Sequence, residues 1–203
     1  MPDNNGIYLK LTVSIDDHCK ELFKSYQNLK LKYHNVNHTQ LVVNRAAEIA
    51  TYYELTEQDL FILLAAAWFH DTGHLQHSVK GHEIKSVQLM FNFLSNQDVG
   101  LKLLRKISNC ILATKYPGNP QALTEMILCD ADLYHLGTDE FFITNELVKE
   151  EIEMRQNIKI PDWNETSLVF LKNHSYFTGY CKNLLAAGKN HNIEQLKKMI
   201  QHK

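Results

Sequence analysis

The sequence predicts an all-α fold, and three features carry that prediction. Only eight glycines and four prolines occur in 203 residues, so few positions resist a helix. Apolar residues recur at intervals of three and four over long stretches, the spacing that lines them up on one helix face. The turn-forming groups Tyr116-Pro117-Gly118-Asn119-Pro120, Gly137 and Ile160-Pro161-Asp162 fall between those stretches.

Taken in order, helices are expected over roughly 14–30, 39–55, 57–70, 81–95, 98–115, 121–136, 138–157, 164–175 and 180–187, with a shorter one near 192–201. Thr39 is the expected N-cap of the second, and Thr56, followed by Asp59, that of the third. The second and seventh alternate apolar and charged sides, as surface helices do, and the run Lys149-Glu150-Glu151 reads as an exposed face. The third, DLFILLAAAWFH, is apolar on nearly every side and is expected at the centre of the bundle, with Trp68 and Phe69 in the core. His82-Glu83 starts the fourth, where Glu83 suits the positive end of the helix dipole. Leu123, Met126, Ile127, Leu128, Leu133 and Leu136 make the sixth strongly apolar, and Trp163 packs a loop.

This length suits one domain with a substantial core. The formal net charge is −2 with both signs interspersed, which gives no basic face for nucleic acid and no acidic arm. Cys19, Cys110, Cys129 and Cys181 are far apart and form no CxxC pair, arguing against a zinc knuckle or a disulfide framework. The N-terminal MPDNNGIYLK carries no export pattern, and Leu60–Phe69 is about half of a membrane span. A soluble cytoplasmic protein is expected.

Four polar clusters need an explanation: Tyr33-His34-Asn35-Val36-Asn37-His38, His70-Asp71-Thr72-Gly73-His74, His82-Glu83, and Cys129-Asp130-Ala131-Asp132-Leu133. If helical, His34 and His38 share a face, being four apart. His70 and Asp71 emerge where the bundle should be driest, so they need strong partners. Asp132 lies in an apolar helix and needs one too. Taken singly, each cluster has a plain reading: surface histidines, a histidine on a helix C-terminus, and a carboxylate paired with Lys115 or Arg105. Taken together, two imidazoles and two carboxylates form a sound site for a divalent ion. Asp130 and Asp132, two apart, point in different directions, so both are not expected to hold one ion; Asp130 suits capping, bridging to a ligand histidine, or pairing with Lys115. The remaining histidines (His18, His77, His135, His174, His191 and His202) read as surface or loop residues.

The ordered set His…His-Asp…Asp resembles the HD superfamily of metal-dependent phosphohydrolases. Tyr33 to His38 looks like the YHNxxH segment of cyclic-nucleotide phosphodiesterases, His70 to His74 like their HDxxH, and Ala131-Asp132-Leu133 like the Ala-Asp-Leu of several HD branches. The resemblance implies one HD-type helical domain over 1–203, with a motif core at about 33–137 and the helices of 138–203 packed on it. It implies His38, His70, Asp71 and Asp132 as metal ligands, His34 as the group that protonates the leaving oxygen, and His74 as a residue that orients or activates the water.

Some HD proteins hold a second ion with two further histidines, for which His74 and His82 are the candidates. The region 98–120, where such a branch places another imidazole, has none and offers Ala113-Thr114-Lys115. One divalent ion (Mn, Mg, Fe, Co, Ni or Zn) is therefore favoured over two, with Lys115 as a phosphate contact. The implied reaction is hydrolysis of a small phosphate ester, with a nucleotide as first substrate class, by a metal-activated water. The alternatives are a cyclic-nucleotide phosphodiesterase, a diiron oxygenase on the same fold, a non-catalytic metal or nucleotide sensor, and a purely structural helical protein.

Overall fold

The structure, a computed structural model, describes residues 5–26, 30–76 and 80–201. The described residues are helical, without a strand, and no helix among them is long and apolar enough to cross a membrane. They fall into two compact units, one of residues 5–26, 34–76 and 80–132, the other of residues 30–33 and 133–201.

The first unit holds α1 (Asn5–Ser25), α2 (Val36–Tyr52), α3 (Glu57–Phe69), a 3-10 helix (Thr72–Gln76), α4 (His82–Leu94), α5 (Leu101–Ala113) and α6 (Leu123–Asp132). α3 is the central element, packed by α1, α2, α5 and α6, and Phe61 to Leu63 and Ala65 to Phe69 are all buried. Burying each large apolar side chain contributes about 1.5–3 kcal/mol, which is why a helix apolar on every side goes to the middle. Thr56 caps it as expected: its Oγ1 accepts from Asp59 N at 3.2 Å and donates to the Asp59 carboxylate at 2.9 Å.

The starts of α1 and α2 differ from the sequence reading. α1 begins at Asn5 rather than near 14; Tyr8 stacks on Phe61 with ring centroids 5.0 Å apart, and the Thr12 hydroxyl donates to Tyr8 O, so packing extends the helix through β-branched residues of modest propensity. Residues 27–29, in the expected extension of that helix to 30, lie outside the described residues. α2 is capped by Asn35, not Thr39: Asn35 Oδ1 accepts from Asn37 N at 2.9 Å and from His38 N at 3.3 Å. Thr39 is buried in the first turn, its hydroxyl donating to Asn35 O at 3.2 Å. His34 therefore precedes the helix, and His38 stands in its first turn.

The second unit holds a 3-10 helix (Tyr134–Gly137), α7 (Phe141–Gln156), α8 (Trp163–Asn173) and α9 (Gly179–Gln201) around Leu136, Phe141, Leu171 and Leu196. The segment expected to continue the sixth helix to 136 is this 3-10 turn. The two helices expected over 180–187 and 192–201 are one, and Gly188 within it packs against Gly137, since a Cβ there would lie 2.0 Å from Gly137 O. Asn192 clamps the same place, donating to Leu136 O at 3.1 Å and Thr138 O at 3.0 Å. Glu151 is not on an exposed face; it is buried, accepting from Tyr33 N and Arg155, both at 2.9 Å. Trp163 opens α8 and donates from Nε1 to Asn145 O. His174 is buried rather than superficial. His18, in the first unit, is half-buried, stacked on Phe93 at 4.0 Å. His77 and His202 lie outside the described residues.

Candidate metal centre

The site is built where α3 ends. His70 N still donates to Ala66 O at 2.8 Å in α-helical fashion, but His74 N donates to Asp71 O at 3.0 Å, the tighter 3-10 pattern. The Thr72 hydroxyl takes the Phe69 carbonyl at 2.8 Å, and Ser86 Oγ accepts from Gly73 N at 2.9 Å while donating to His70 O at 2.6 Å. A Cβ on Gly73 would lie 2.0 Å from His82 O, so only glycine lets the start of α4 come this close. The switch of helix type turns His70, Asp71 and His74 towards common ground.

His38, on the first turn of α2, and Asp132, the last residue of α6, complete the group. His38 Nε2 lies 3.3 Å from Asp71 Oδ2 and 3.2 Å from Asp132 Oδ1; His70 Nε2 lies 3.2 Å from Asp71 Oδ2 and 3.7 Å from Asp132 Oδ1. His70 Nδ1 is 2.7 Å from Ala67 O, a contact that holds the proton on Nδ1 and leaves the Nε2 lone pair facing the carboxylates.

These residues fit a divalent ion. His70 Nε2 and Asp71 Oδ2 are buried and have no hydrogen-bond partner, an arrangement that costs about 1–3 kcal/mol per group unless something else binds them. Donors bound to one ion at about 2.1 Å and about 90–110° stand about 3.0–3.5 Å apart, close to the separations seen. Electrostatics agree. Burial pushes the imidazoles of His38 and His70 down, but the Asp71 and Asp132 carboxylates outweigh it and hold both above the usual histidine range, His70 well above. Burial pushes both carboxylates up, but neighbouring imidazoles reverse it: His70 and His34 by charge and His38 by contact for Asp71, and His38 and His70 for Asp132.

Asp71 also turns its other oxygen to a second group. Oδ1 lies 3.6 Å from His82 Nε2 and 3.9 Å from His74 Nε2, and Glu83 Oε1 stands 3.7 Å from His82 Nε2. His34, His74 and His82 form a row of stacked rings, with centroids 4.2 Å and 3.9 Å apart. Donor atoms of Asp71, His74 and His82 are close enough to share an ion, as are those of His38, His70 and Asp71. His82, which the sequence offered both as a helix start and as a candidate for a second ion, is thus beside the shared carboxylate.

Asp132, and not Asp130, contributes the Oδ1 described above; Asp130 is fully buried. Lys115 is exposed in the turn after α5, apart from the ion-pair contacts of the cluster. The four cysteines are buried, and no disulfide joins them.

Residues 35–137, just over half of the chain, match the family model of the HD domain, and the chain belongs to that family. It is also similar in structure to a crystal structure from an uncultured Thermotogales bacterium, described as a predicted HD superfamily hydrolase. The two are 19% identical, over 93% of this chain and 91% of that one, with a TM-score of 0.59, which shows a shared fold. No curated protein matches the chain. At the level of the superfamily, family membership together with the imidazole and carboxylate cluster supports a metal-dependent hydrolase.

Proposed function

We propose that the protein is a metal-dependent phosphohydrolase of a small phosphate ester, with a nucleotide as the first class to test. The observation that carries this reading is the convergence of His38, His70, Asp71 and Asp132, whose imidazole and carboxylate atoms stand 3.2–3.7 Å apart. These four residues would hold the ion. A bound divalent ion supplies acidity to a coordinated water and neutralises charge on a phosphoryl oxygen. The contact of His70 with Ala67 O keeps its Nε2 lone pair turned inward, and Asp71 shares its carboxylate between the two histidine groups. We assign His34, half-buried and stacked on His74, to proton delivery at the leaving oxygen, and His74 to orienting the attacking water. Lys115 keeps no assigned role, since it is exposed and outside the cluster.

The group Asp71, His74 and His82 favours a second reading with two ions, and with it an oxygenase that uses a pair of irons. Iron content and substrate-dependent oxygen consumption separate that reading from hydrolysis. The test of the first is a panel of phosphomonoesters and phosphodiesters, including nucleotides and cyclic nucleotides, assayed with Mn, Mg, Fe, Co, Ni and Zn beside Asp71→Ala. Hydrolysis that depends on an added metal and is lost in the variant supports the proposal; equal rates for variant and wild type on every substrate defeat it.

A further inference from the structure

We propose that Ser86 is a positioning residue of the metal centre, acting through the backbone of His70 and Gly73. In a continuing α-helix the His70 carbonyl would accept from the His74 amide, but that amide is taken by Asp71 O at 3.0 Å. The Gly73 amide would seek the Phe69 carbonyl, which receives the Thr72 hydroxyl. The turn that aims the ligands therefore leaves a carbonyl and an amide in need of partners inside the core, each costing about 1–3 kcal/mol if unmet. One fully buried hydroxyl meets both: Ser86 Oγ donates to His70 O at 2.6 Å and accepts from Gly73 N at 2.9 Å. Ser86 lies on α4, which begins at His82, so the same hydroxyl ties the turn bearing His70 and Asp71 to the helix bearing His82.

Alanine at 86 removes both bonds and lets the His70–Gly73 turn relax. Groups that orient ligands in this way change metal affinity by about 10–100-fold when removed. The inference rests on the reading of His70 and Asp71 as ligands, and the experiment separates the two. Mn2+ affinity is measured by calorimetry on the full chain for wild type, Ser86→Ala, Ser86→Cys and Ser108→Ala, beside the thermal midpoint of each without metal. Ser108 is the control, a buried serine on α5 whose hydroxyl bonds Leu104 O at 2.8 Å. Ser86→Ala is expected to bind about 10–100-fold more weakly, Ser86→Cys to fall between, because a thiol bonds weakly, and Ser108→Ala to match wild type. Affinity of Ser86→Ala within twofold of wild type, whatever its midpoint, would overturn the proposal and leave Ser86 a packing residue. Failure of both Ser86 variants to fold would overturn it in the same way. No Mn2+ binding by wild type would instead defeat the metal reading itself.

Discussion

Replacing Gly73 by alanine sets two effects of opposite sign against each other. Gly73 is not in the left-handed backbone region, so alanine could adopt its conformation, and the reduced freedom of the unfolded chain would then stabilise by about 0.4–1 kcal/mol. Against this, the new Cβ would lie 2.0 Å from His82 O, 2.8 Å from His82 C and 3.0 Å from His82 Cα, all backbone atoms that cannot rotate away. Reaching an ordinary contact of about 3.4 Å needs a shift of about 1.4 Å between the turn and the start of α4, and overpacking of that kind costs about 1–3 kcal/mol. At the middle of both ranges the steric effect wins, for a net loss of about 1–2 kcal/mol. At about 2–4 °C per kcal/mol for a chain of this size, the thermal midpoint of the metal-free protein should fall by about 2–8 °C, followed by circular dichroism at 222 nm. Gly6→Ala, where an added Cβ meets nothing within 4 Å, should lose nothing. A midpoint for Gly73→Ala at or above wild type would refute the close approach of Gly73 and His82 on which the site geometry depends.

Other consequences are equally open to measurement. Asn35→Ala removes the cap bonds to Asn37 N and His38 N and should cost about 1 kcal/mol in urea unfolding, together with weaker Mn2+ binding because His38 loses its anchor. Burial, then Lys189 and His135, lower His174 from the ordinary 6.5 to about 4, so the unfolded chain takes up the proton first as pH falls. Stability should drop between about pH 6.5 and pH 4 by about 3 kcal/mol through this group, and His174→Gln should flatten that slope; an unchanged slope would rule it out. His38 and His70, held above the usual range by burial-opposed contact with Asp71 and Asp132, stabilise the metal-free protein below about pH 6.5 and lose that contribution as pH rises through their raised values. The ion must displace those protons, so Mn2+ binding should strengthen with pH and release protons, seen as a buffer-dependent heat in calorimetry.

Much of the fold is legible in the sequence because burial and periodicity act locally. The all-apolar EQDLFILLAAAWF had one destination, and Thr56 with Asp59 announced its start. What was not legible depends on partners distant in the chain. Residues 5–13 become helical through packing such as Tyr8 on Phe61, and the helices expected over 180–187 and 192–201 run on as one where Gly188 packs against Gly137. Asn35 displaces Thr39 as cap because its carboxamide reaches two amides at once, whereas Thr39 is better used inside the helix. The site follows the same division. His70, Asp71 and Asp132 could be picked out as polar groups in apolar surroundings and His38 through the resemblance of its motif, and the structure brings all four together. His82, a second-ion candidate in the sequence, comes beside Asp71 through the return of the chain after His74, whereas Ser86 acts through contacts with backbone 13 and 16 residues away, which no local pattern encodes.

The most direct test of the metal centre is a calorimetric titration of Mn2+ into metal-free wild type and into Asp71→Ala at one pH. Wild type should bind at least one ion per chain, and Asp71→Ala, which removes the carboxylate common to both histidine groups, should bind none or far more weakly. Equal stoichiometry and affinity in the two proteins would contradict the assignment of Asp71 at the heart of the site.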